Sequence, residues 1–314
     1  MSKKTILIFA IIALAISSVS IYISETAPKI LTREIEELDT EVKKINREIS
    51  LLNKRTAPYI YTGESQGYII DFRNGVRFYF TGDTGLSADL ELMGDYYNPN
   101  VVFLPIGNIY TLDSETAAYA ASLINPSDYI IPTHYGSFSE LEESADDFLQ
   151  ELKKYNLKAS PLEFKPGEQK EVMGIKVEWL GHNHWLLESP EGTRILIDPA
   201  VNYNPSFPQK YQQLIQLNEI DLILITNGHF DSMVLSDIRK WGQLFDPIFI
   251  TPYEVGVWLK SYFPIYKIIP VDKGAKITKD ELKKMALNDE DLEKTDGLII
   301  RVVPASHSSS ATPE

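Results

Sequence analysis

The sequence contains no cysteine, and this absence removes several classes of chemistry. Disulfide bonds, catalytic thiols and thiolate metal ligands are all excluded. Histidine is scarce as well, with five residues in a chain of 314. Any metal ion must therefore be held by imidazole, carboxylate and water ligands, and the imidazoles come from a small set.

Basic residues are fewer than acidic ones. Thirty Lys and Arg residues stand against 44 Asp and Glu residues, which gives a formal net charge of −14. Such a balance disfavours a broad electrostatic contact with a phosphate backbone, and no Lys/Arg cluster accompanies the motifs described below. We expect no nucleic-acid partner.

The chain has one long hydrophobic run, at residues 5–23, and it carries no charge. Its nineteen residues come close to the ~20 that span a bilayer as a helix. Lys3 and Lys4 precede the run, so the positive-inside rule predicts a single-pass anchor over 1–24 in the cell membrane. The amino terminus would be cytoplasmic and the globular domain would lie on the outer side. A cleaved signal peptide is the alternative, because Ser18-Val19-Ser20 offers a small-residue cleavage pattern.

A helical segment without Gly or Pro follows at 29–55, and its apolar residues are spaced alternately four and three apart. This 3.5-residue repeat is typical of a left-handed coiled coil. The apolar positions are Leu31, Ile35, Leu38, Val42, Ile45, Ile49 and Leu52. β-Branched residues at a and mostly Leu at d favour a parallel homodimer. A single amphipathic helix packed on the body of its own chain is the alternative.

Residues 57–314 read as alternating strands and helices, which predicts an α/β fold with a layered core. Arg73-Asn74-Gly75 predicts a hairpin turn between two apolar runs. Ser114 and Ser139 are each expected to open a helix. Residues 175–200 are predicted to form two strands around the Pro190-Glu191-Gly192 turn.

Side chains that can bind a metal stand where the predicted strands end. In open α/β sheets, residues just past the strand ends line the functional crevice. The candidates are Asp83, His134, His182, His184, His229, Asp231 and His307. A lone histidine at such a place is usually structural, but the convergence of all five with carboxylates beside them predicts one site.

Several motifs resemble those of the metallo-β-lactamase superfamily, and within it the ascorbate-6-phosphate-lactonase-like metal-dependent hydrolases. They are TNGHFDS preceded by DLILI, ILIDP, PASHSSS, GDTG and PTHYG. The resemblance covers essentially all of 57–314. It implies a four-layer αββα fold, a divalent metal and a small-molecule substrate such as a lactone or phosphoester.

The order of these motifs departs from the family. The segment 57–165 resembles the family's C-terminal half, whereas 172–314 resembles its N-terminal half. A circularly permuted domain is expected, with 165–172 joining the old termini, because permutation is tolerated where termini lie close together. A rearranged or truncated gene, and halves that complete each other between two chains, are the alternatives.

The metal motif departs as well. The family pattern is His-x-His-x-Asp-His, and this chain has Asn227 and Ser232 at its first and last positions. The resemblance implies that position 227, His229, His307 and Asp83 hold a first ion. It implies that Asp231, position 232, His134 and Asp83 hold a second.

Because Asn and Ser replace an imidazole in each set, we expect one ion rather than two. Its ligands would be His229, His307 and Asp83, and the ion would be Zn, with Mn or Fe as alternatives. Asp231 would act as general base, and His134 would bind or protonate the leaving group. The rival hypothesis is a degenerate binding or scaffolding module that has lost its metal.

Three further residues near the motifs are expected to be structural or to face substrate. His182 and His184 flank Asn183, and on a strand they would point the same way. Either could replace a missing ligand. Asp198, after the strand of ILIDP, is expected to pin the turn beside the site.

Overall fold

The computed structural model describes residues 60–141, 144–211, 213–285, 287–293 and 295–311. All of them belong to the compact unit Pro58–Glu314. The predicted anchor and coiled coil lie outside the described residues. Among the helices of the described part, none combines the length and the apolar character needed to cross a bilayer.

One sheet has seven strands and contains both ends of the described chain. Its spatial order is β13-β14-β1-β2-β3-β4-β5. The strands are β1 (Ile60–Asp71), β2 (Arg77–Phe80), β3 (Val101–Pro105), β4 (Tyr129–Thr133), β5 (Ser160–Pro161), β13 (Lys276–Ile277) and β14 (Ile299–Ala311). Strands β2 to β5 are parallel, whereas β13, β14, β1 and β2 pair antiparallel.

The second sheet also has seven strands, in the order β12-β11-β10-β9-β8-β7-β6. They are β6 (Gln169–Val172), β7 (Ile175–Trp179), β8 (Trp185–Glu188), β9 (Arg194–Ile197), β10 (Leu222–Leu224), β11 (Ile248–Pro252) and β12 (Ile268–Val271). Strands β9 to β12 are parallel, and β6 to β9 form an antiparallel meander.

Seven α-helices accompany the sheets in the described part of the chain. They are α1 (Asp89–Tyr97), α2 (Ser114–Ile124), α3 (Asp146–Leu152), α4 (Leu235–Phe245), α5 (Tyr253–Tyr262), α6 (Lys279–Lys284) and α7 (Asp289–Glu293). Helices α1 and α2 contact the first sheet, α3 packs on α2, and α5 packs on the second sheet.

Side chains alternate across the second sheet and so join two cores. On β9, Ile195 and Ile197 face the first sheet, whereas Leu196 faces the helical side. This period of two is what a strand covered on both faces requires. Between the sheets, the rings of Phe103 and Trp185 meet at 4.9 Å. On the outer side Trp241 of α4 is fully buried. The four layers are thus helix, sheet, sheet and helix.

The local expectations are met in part. Strands β1 and β2 form the predicted hairpin, with Asp71 opposite Arg77. Helix α2 begins at Ser114, and Asp113 caps it by accepting a hydrogen bond from the Thr116 amide. The acidic helix expected from Ser139 begins instead at Asp146, whose amide donates to the Ser144 hydroxyl.

The prediction of two strands over 175–200 was wrong. The segment forms three strands, because a turn at 180–184 separates β7 from β8. Gly181 and His182 have φ values of 87° and 56° there. His182 and His184 therefore do not share a strand face, contrary to expectation.

Candidate metal centre

The site lies where parallel strands of both sheets end. Asp83 follows β2, and His134 comes directly after β4 in the first sheet. In the second sheet Asp198 comes directly after β9, and the segment 227–232 follows β10. The carboxyl ends of parallel strands meet at one edge of a sheet, which is why residues so far apart in sequence converge here.

Gly82 allows Asp83 to approach the facing sheet. Its φ is 66°, and a Cβ at this position would come within 2.7 Å of the Gln66 carbonyl oxygen and 3.1 Å of Thr226 Cβ. Both the left-handed backbone and the close contact require glycine. The Asp83 carboxyl group is consequently buried, with 2% of the residue exposed.

A β-bulge places His307 beside Asp83. Strand β14 pairs Ser308 with Glu64 and Pro304 with Gln66, so three residues of β14 face one residue of β1. The freed backbone of Ser306 pairs with the loop after Asp83: the Gly85 amide donates to its carbonyl at 3.0 Å, and its own amide donates to Thr84 Oγ1. Bulges re-aim side chains next to active sites, and this one turns His307 toward Asp83.

Two histidines adopt left-handed backbone conformations, which are uncommon for residues other than glycine. The φ values are 62° for His134 and 56° for His182. The His182 carbonyl accepts three hydrogen bonds, from the His134 amide at 3.0 Å, Thr133 Oγ1 at 2.9 Å and Trp179 Nε1 at 2.9 Å. Strained conformations of this kind persist only where the surroundings fix them, and they cluster at functional sites.

The side chains that could hold a metal ion fall into two groups. In one, a ligand atom from each of Asp83, His229 and His307 lies within 4.8 Å of the others. In the other, the same holds for His134, His182 and Asp231. The structure therefore brings together all five site residues predicted from sequence and adds His182. Their binding of a metal remains a prediction.

His134, a member of the second group, also approaches Asp83 of the first. Its Nε2 is 3.6 Å from Asp83 Oδ1 and 3.8 Å from Asp231 Oδ2. Its ring lies 4.0 Å from that of His182, centroid to centroid. The rings of His229 and His307 meet edge to face at 5.1 Å.

Asn227 and Ser232, where the family motif has histidines, join a buried hydrogen-bond network. Asn227 Nδ2 lies 3.0 Å from each of Asp83 Oδ2, Thr226 Oγ1 and Ser232 Oγ, and these three acceptors share its two N–H groups. Asn183 Nδ2 also donates to Ser232 Oγ, at 2.9 Å. The Asn227 oxygen accepts the His229 amide at 2.8 Å, which fixes the orientation of the side-chain amide. Neither residue thus directs a free oxygen at the two groups.

His184 and Asp198 have structural roles. His184 Nε2 donates to the Asp231 carbonyl at 2.9 Å, and its Nδ1 accepts from Asn204 Nδ2 at 2.6 Å. Burial, then the nearby His182, lowers the pKa of His184 to about 3. Asp198 accepts the Thr226 amide at 2.7 Å and its hydroxyl at 2.8 Å, so it pins the turn that precedes Asn227. Burial raises the pKa of Asp198 well above its usual range.

The surroundings also shift the pKa values of His182, Asp231 and His307. Burial lowers the pKa of His182, so its imidazole is neutral near pH 7 and has a lone pair available. Burial opposes ionisation of Asp231, but the hydrogen bond from His182 and the nearby imidazoles outweigh it and hold the pKa of this carboxyl below its ordinary value. Burial also lowers the pKa of His307.

Sequence reasoning missed the residues that support this site. Ser137 holds His182 Nδ1 at 2.6 Å, and Asn183, Thr226 and Asn204 complete the polar networks. They are ordinary polar residues in loops, and no spacing signal distinguishes them. The available hints were positional: Ser137 directly follows PTHYG, Asn183 lies between His182 and His184, and Thr226 begins TNGHFDS.

Two facing sheets between helices, with histidines and aspartates gathered at one edge, define an α/β protein of the metallo-β-lactamase type. The chain belongs to the family described as the beta-lactamase superfamily domain, whose model matches residues 26–134 and 176–314.

Proteins named UPF0173 metal-dependent hydrolase are similar to part of the chain. The one from Roseiflexus castenholzii is 40% identical over 106 residues, which is 34% of this chain and 43% of the relative. The one from Herpetosiphon aurantiacus is 41% identical over 109 residues, or 35% and 45%. The chain thus spans under half the length of these curated relatives. The metallo-β-lactamase-fold protein YhfI from Bacillus subtilis shares 10% identity over 76% of this chain and 92% of that one, with a TM-score of 0.40.

Proposed function

We propose that this protein is a metal-dependent hydrolase of small molecules with lactone or phosphoester bonds. The observation that carries the proposal is the convergence of Asp83, His229 and His307 within 4.8 Å. The relatives named metal-dependent hydrolases support it.

The donor set fits one divalent ion. Two imidazoles and a carboxyl group suit Zn, Mn or Fe and leave positions open for water and substrate. Asp83 is buried and is oriented by the amide of Asn227, while His229 and His307 are only partly buried and so face the open side of the site. We favour Zn at this position.

A divalent ion, when bound, supplies Lewis-acid activation of water and of the scissile group. Asp231 would accept the proton of the attacking water, because its side chain is partly exposed and its Oδ2 lies beside His134 and His182. His134 Nε2, between Asp83 and Asp231, is placed to donate a proton to the leaving group.

The second candidate function is a binding or scaffolding module without hydrolytic activity. The network of Asn227, Ser232 and Asn183 favours it, since these side chains satisfy one another without a metal. Loss of ligands ordinarily lowers metal affinity steeply.

We also infer a domain that is circularly permuted, anchored in the cell membrane with its globular part outside, and paired through the segment 29–55. The permutation is supported by the pairing of β1 with β14, in which Ile60 stands opposite Ala311. The anchor and the dimer rest on the sequence pattern alone.

Metal analysis and hydrolysis assays on the full chain separate the two functions. We expect about one tightly bound Zn, Mn or Fe per chain and hydrolysis of a chromogenic phosphodiester or a lactone. His307→Ala should lose hydrolysis and the ion held beside Asp83, whereas Glu191→Gln, far along the chain in the β8–β9 turn, should lose neither. A folded chain that binds no metal, or one that binds metal without hydrolysis, would favour the binding module.

A further inference from the structure

We propose that His134, His182 and Asp231 form a second cation position, in which His182 supplies the imidazole that Ser232 lacks. This position goes beyond the one-ion site proposed above. It would take Zn, Mn or Fe, the ions that suit two imidazoles and a carboxylate.

Ser232 itself is an unsuitable ligand. It is fully buried, and its hydroxyl oxygen already accepts hydrogen bonds from Asn183 and Asn227. A neutral hydroxyl is also a poor donor to a divalent ion near neutral pH. Any imidazole for this group must therefore come from another segment.

His182 approaches from the turn between β7 and β8 and meets that need. Its Nε2 lies 3.3 Å from Asp231 Oδ2, and His134 Nε2 lies 3.8 Å from the same oxygen. All three side chains offer ligand atoms within 4.8 Å of one another. The separation is short enough for one ion to contact all three.

The environment of His182 resembles that of a metal-binding histidine. Such residues place their second ring nitrogen against a hydrogen-bond partner, which fixes the ring and its tautomer. His182 Nδ1 lies 2.6 Å from Ser137 Oγ, and a hydroxyl can donate to this nitrogen or accept from it. When Nε2 carries the proton and faces Asp231, the Ser137 hydroxyl can donate to Nδ1. When Nδ1 carries the proton, Ser137 Oγ can accept a hydrogen bond from it, and Nε2 is then free to bind an ion.

His184 provides an internal contrast. It lies two residues away and is equally buried, but its Nε2 donates to the backbone carbonyl of Asp231 and its Nδ1 accepts from Asn204. His182 Nε2 instead faces the carboxylate of Asp231, which is itself a candidate ligand. The geometry selects His182 from the pair.

Asp231 also favours the assignment. Its Oδ1 is buried and has no hydrogen-bond partner in the described part of the chain, and a buried unpaired oxygen calls for an explanation. A bound cation would supply one. Since Asp231 is also the proposed proton acceptor and His134 the proposed proton donor, an ion here would compete with both roles and slow hydrolysis; this consequence rests on the proposed function.

Titration of the metal-free full chain with Co²⁺, followed by calorimetry and by visible absorption, tests the second position. We expect two classes of binding. His182→Ala should remove one class and leave the other, whereas His307→Ala should do the reverse.

Ser137→Ala keeps all three ligands, so it tests the second position even if His182→Ala fails to fold. It should weaken the His182-dependent class by about 10–100-fold, as loss of a supporting partner does at metal sites. Ser139→Ala is the matched control, because Ser139 is exposed and its hydroxyl bonds only to neighbouring Glu140 among the described contacts. It should change neither class.

The inference is overturned if the wild type shows one class that His182→Ala leaves intact, or if Ser137→Ala and Ser139→Ala bind Co²⁺ alike. If His182→Ala abolishes binding while His307→Ala does not, the second position stands and the proposed one-ion site is wrong. If only His307→Ala abolishes binding, the one-ion site stands and the second position is wrong.

Discussion

The side-chain nitrogen of Asn227 lies 3.0 Å from Oδ2 of Asp83, and the two residues are 144 positions apart in the sequence. A donor group thus faces the carboxyl group that the family resemblance makes common to both ligand sets. Asn227 thus meets Asp83 through a hydrogen bond, at a position where the resemblance implies a metal ligand.

Removal of this amide should destabilise the fold. Asn227→Ala leaves Asp83 Oδ2, Ser232 Oγ and the His229 amide each without one partner in a fully buried place. Unsatisfied buried groups cost about 1–3 kcal/mol, so we expect the free energy of unfolding to fall by about that amount. Urea denaturation measures it. Asn156→Ala, at an exposed position, should change it by less than about 0.5 kcal/mol. Equal stability of the two variants would contradict the network.

An imidazole at the same position should strengthen metal binding. Asn227→His adds a third nitrogen ligand beside Asp83, His229 and His307, at an overpacking cost of about 1–3 kcal/mol. We expect a larger rise in melting temperature on addition of Zn²⁺ than for the wild type, because ligands that bind the folded state stabilise it. Asn227→Gln, which keeps an amide, should show no such gain. The same Zn²⁺ response in both variants would mean that position 227 does not face the ion.

Gly107 should be essential to the position of His134. A Cβ there would come within 2.3 Å of His134 Nδ1 and 2.9 Å of its carbonyl oxygen. Gly107→Ala must therefore displace His134, with a stability loss of about 1–3 kcal/mol and a shift in its imidazole NMR signals. In Gly85→Ala the new Cβ meets Ser306 O at 3.4 Å, an ordinary contact. Unchanged His134 signals in Gly107→Ala would show that the loop yields instead.

The predicted stalk is testable through oligomeric mass. Ile35→Asp with Ile49→Asp places four charges in the a positions of a dimer, and we expect a monomer by light scattering in detergent. Thr40→Asp with Ser50→Asp adds the same charges outside the predicted seam and should remain a dimer. A monomeric wild type would refute the coiled coil. If the monomeric variant still binds metal, the two halves of the site come from one chain.

The sequence allowed the strand-end residues to be predicted because hydrophobic runs followed by His or Asp can be identified without coordinates. Asp83, His134, His229 and Asp231 were found in this way, whereas His307 lies at a bulge inside β14 rather than past its end. Sequence named both His182 and His184 as possible substitute ligands but could not choose between them or find Ser137, because the choice depends on a left-handed turn at His182 that breaks the apparent strand. The start of the acidic helix at Asp146 was missed as well. The Asp146 amide donates to the Ser144 hydroxyl there, and a hydrophobic pattern cannot predict such a local hydrogen bond.

The pairing of β1 with β14 has a mechanical consequence. Ile60 stands opposite Ala311, followed inward by Tyr61 opposite Ser310 and Glu64 opposite Ser308, and His307 comes next on β14. Antiparallel strands pulled apart at one end separate pair by pair, so tension that reaches Ile60 from the preceding segment loads these pairs in turn. Tension on β1 therefore reaches His307, in the candidate metal centre, before it reaches the hairpin of β1 and β2.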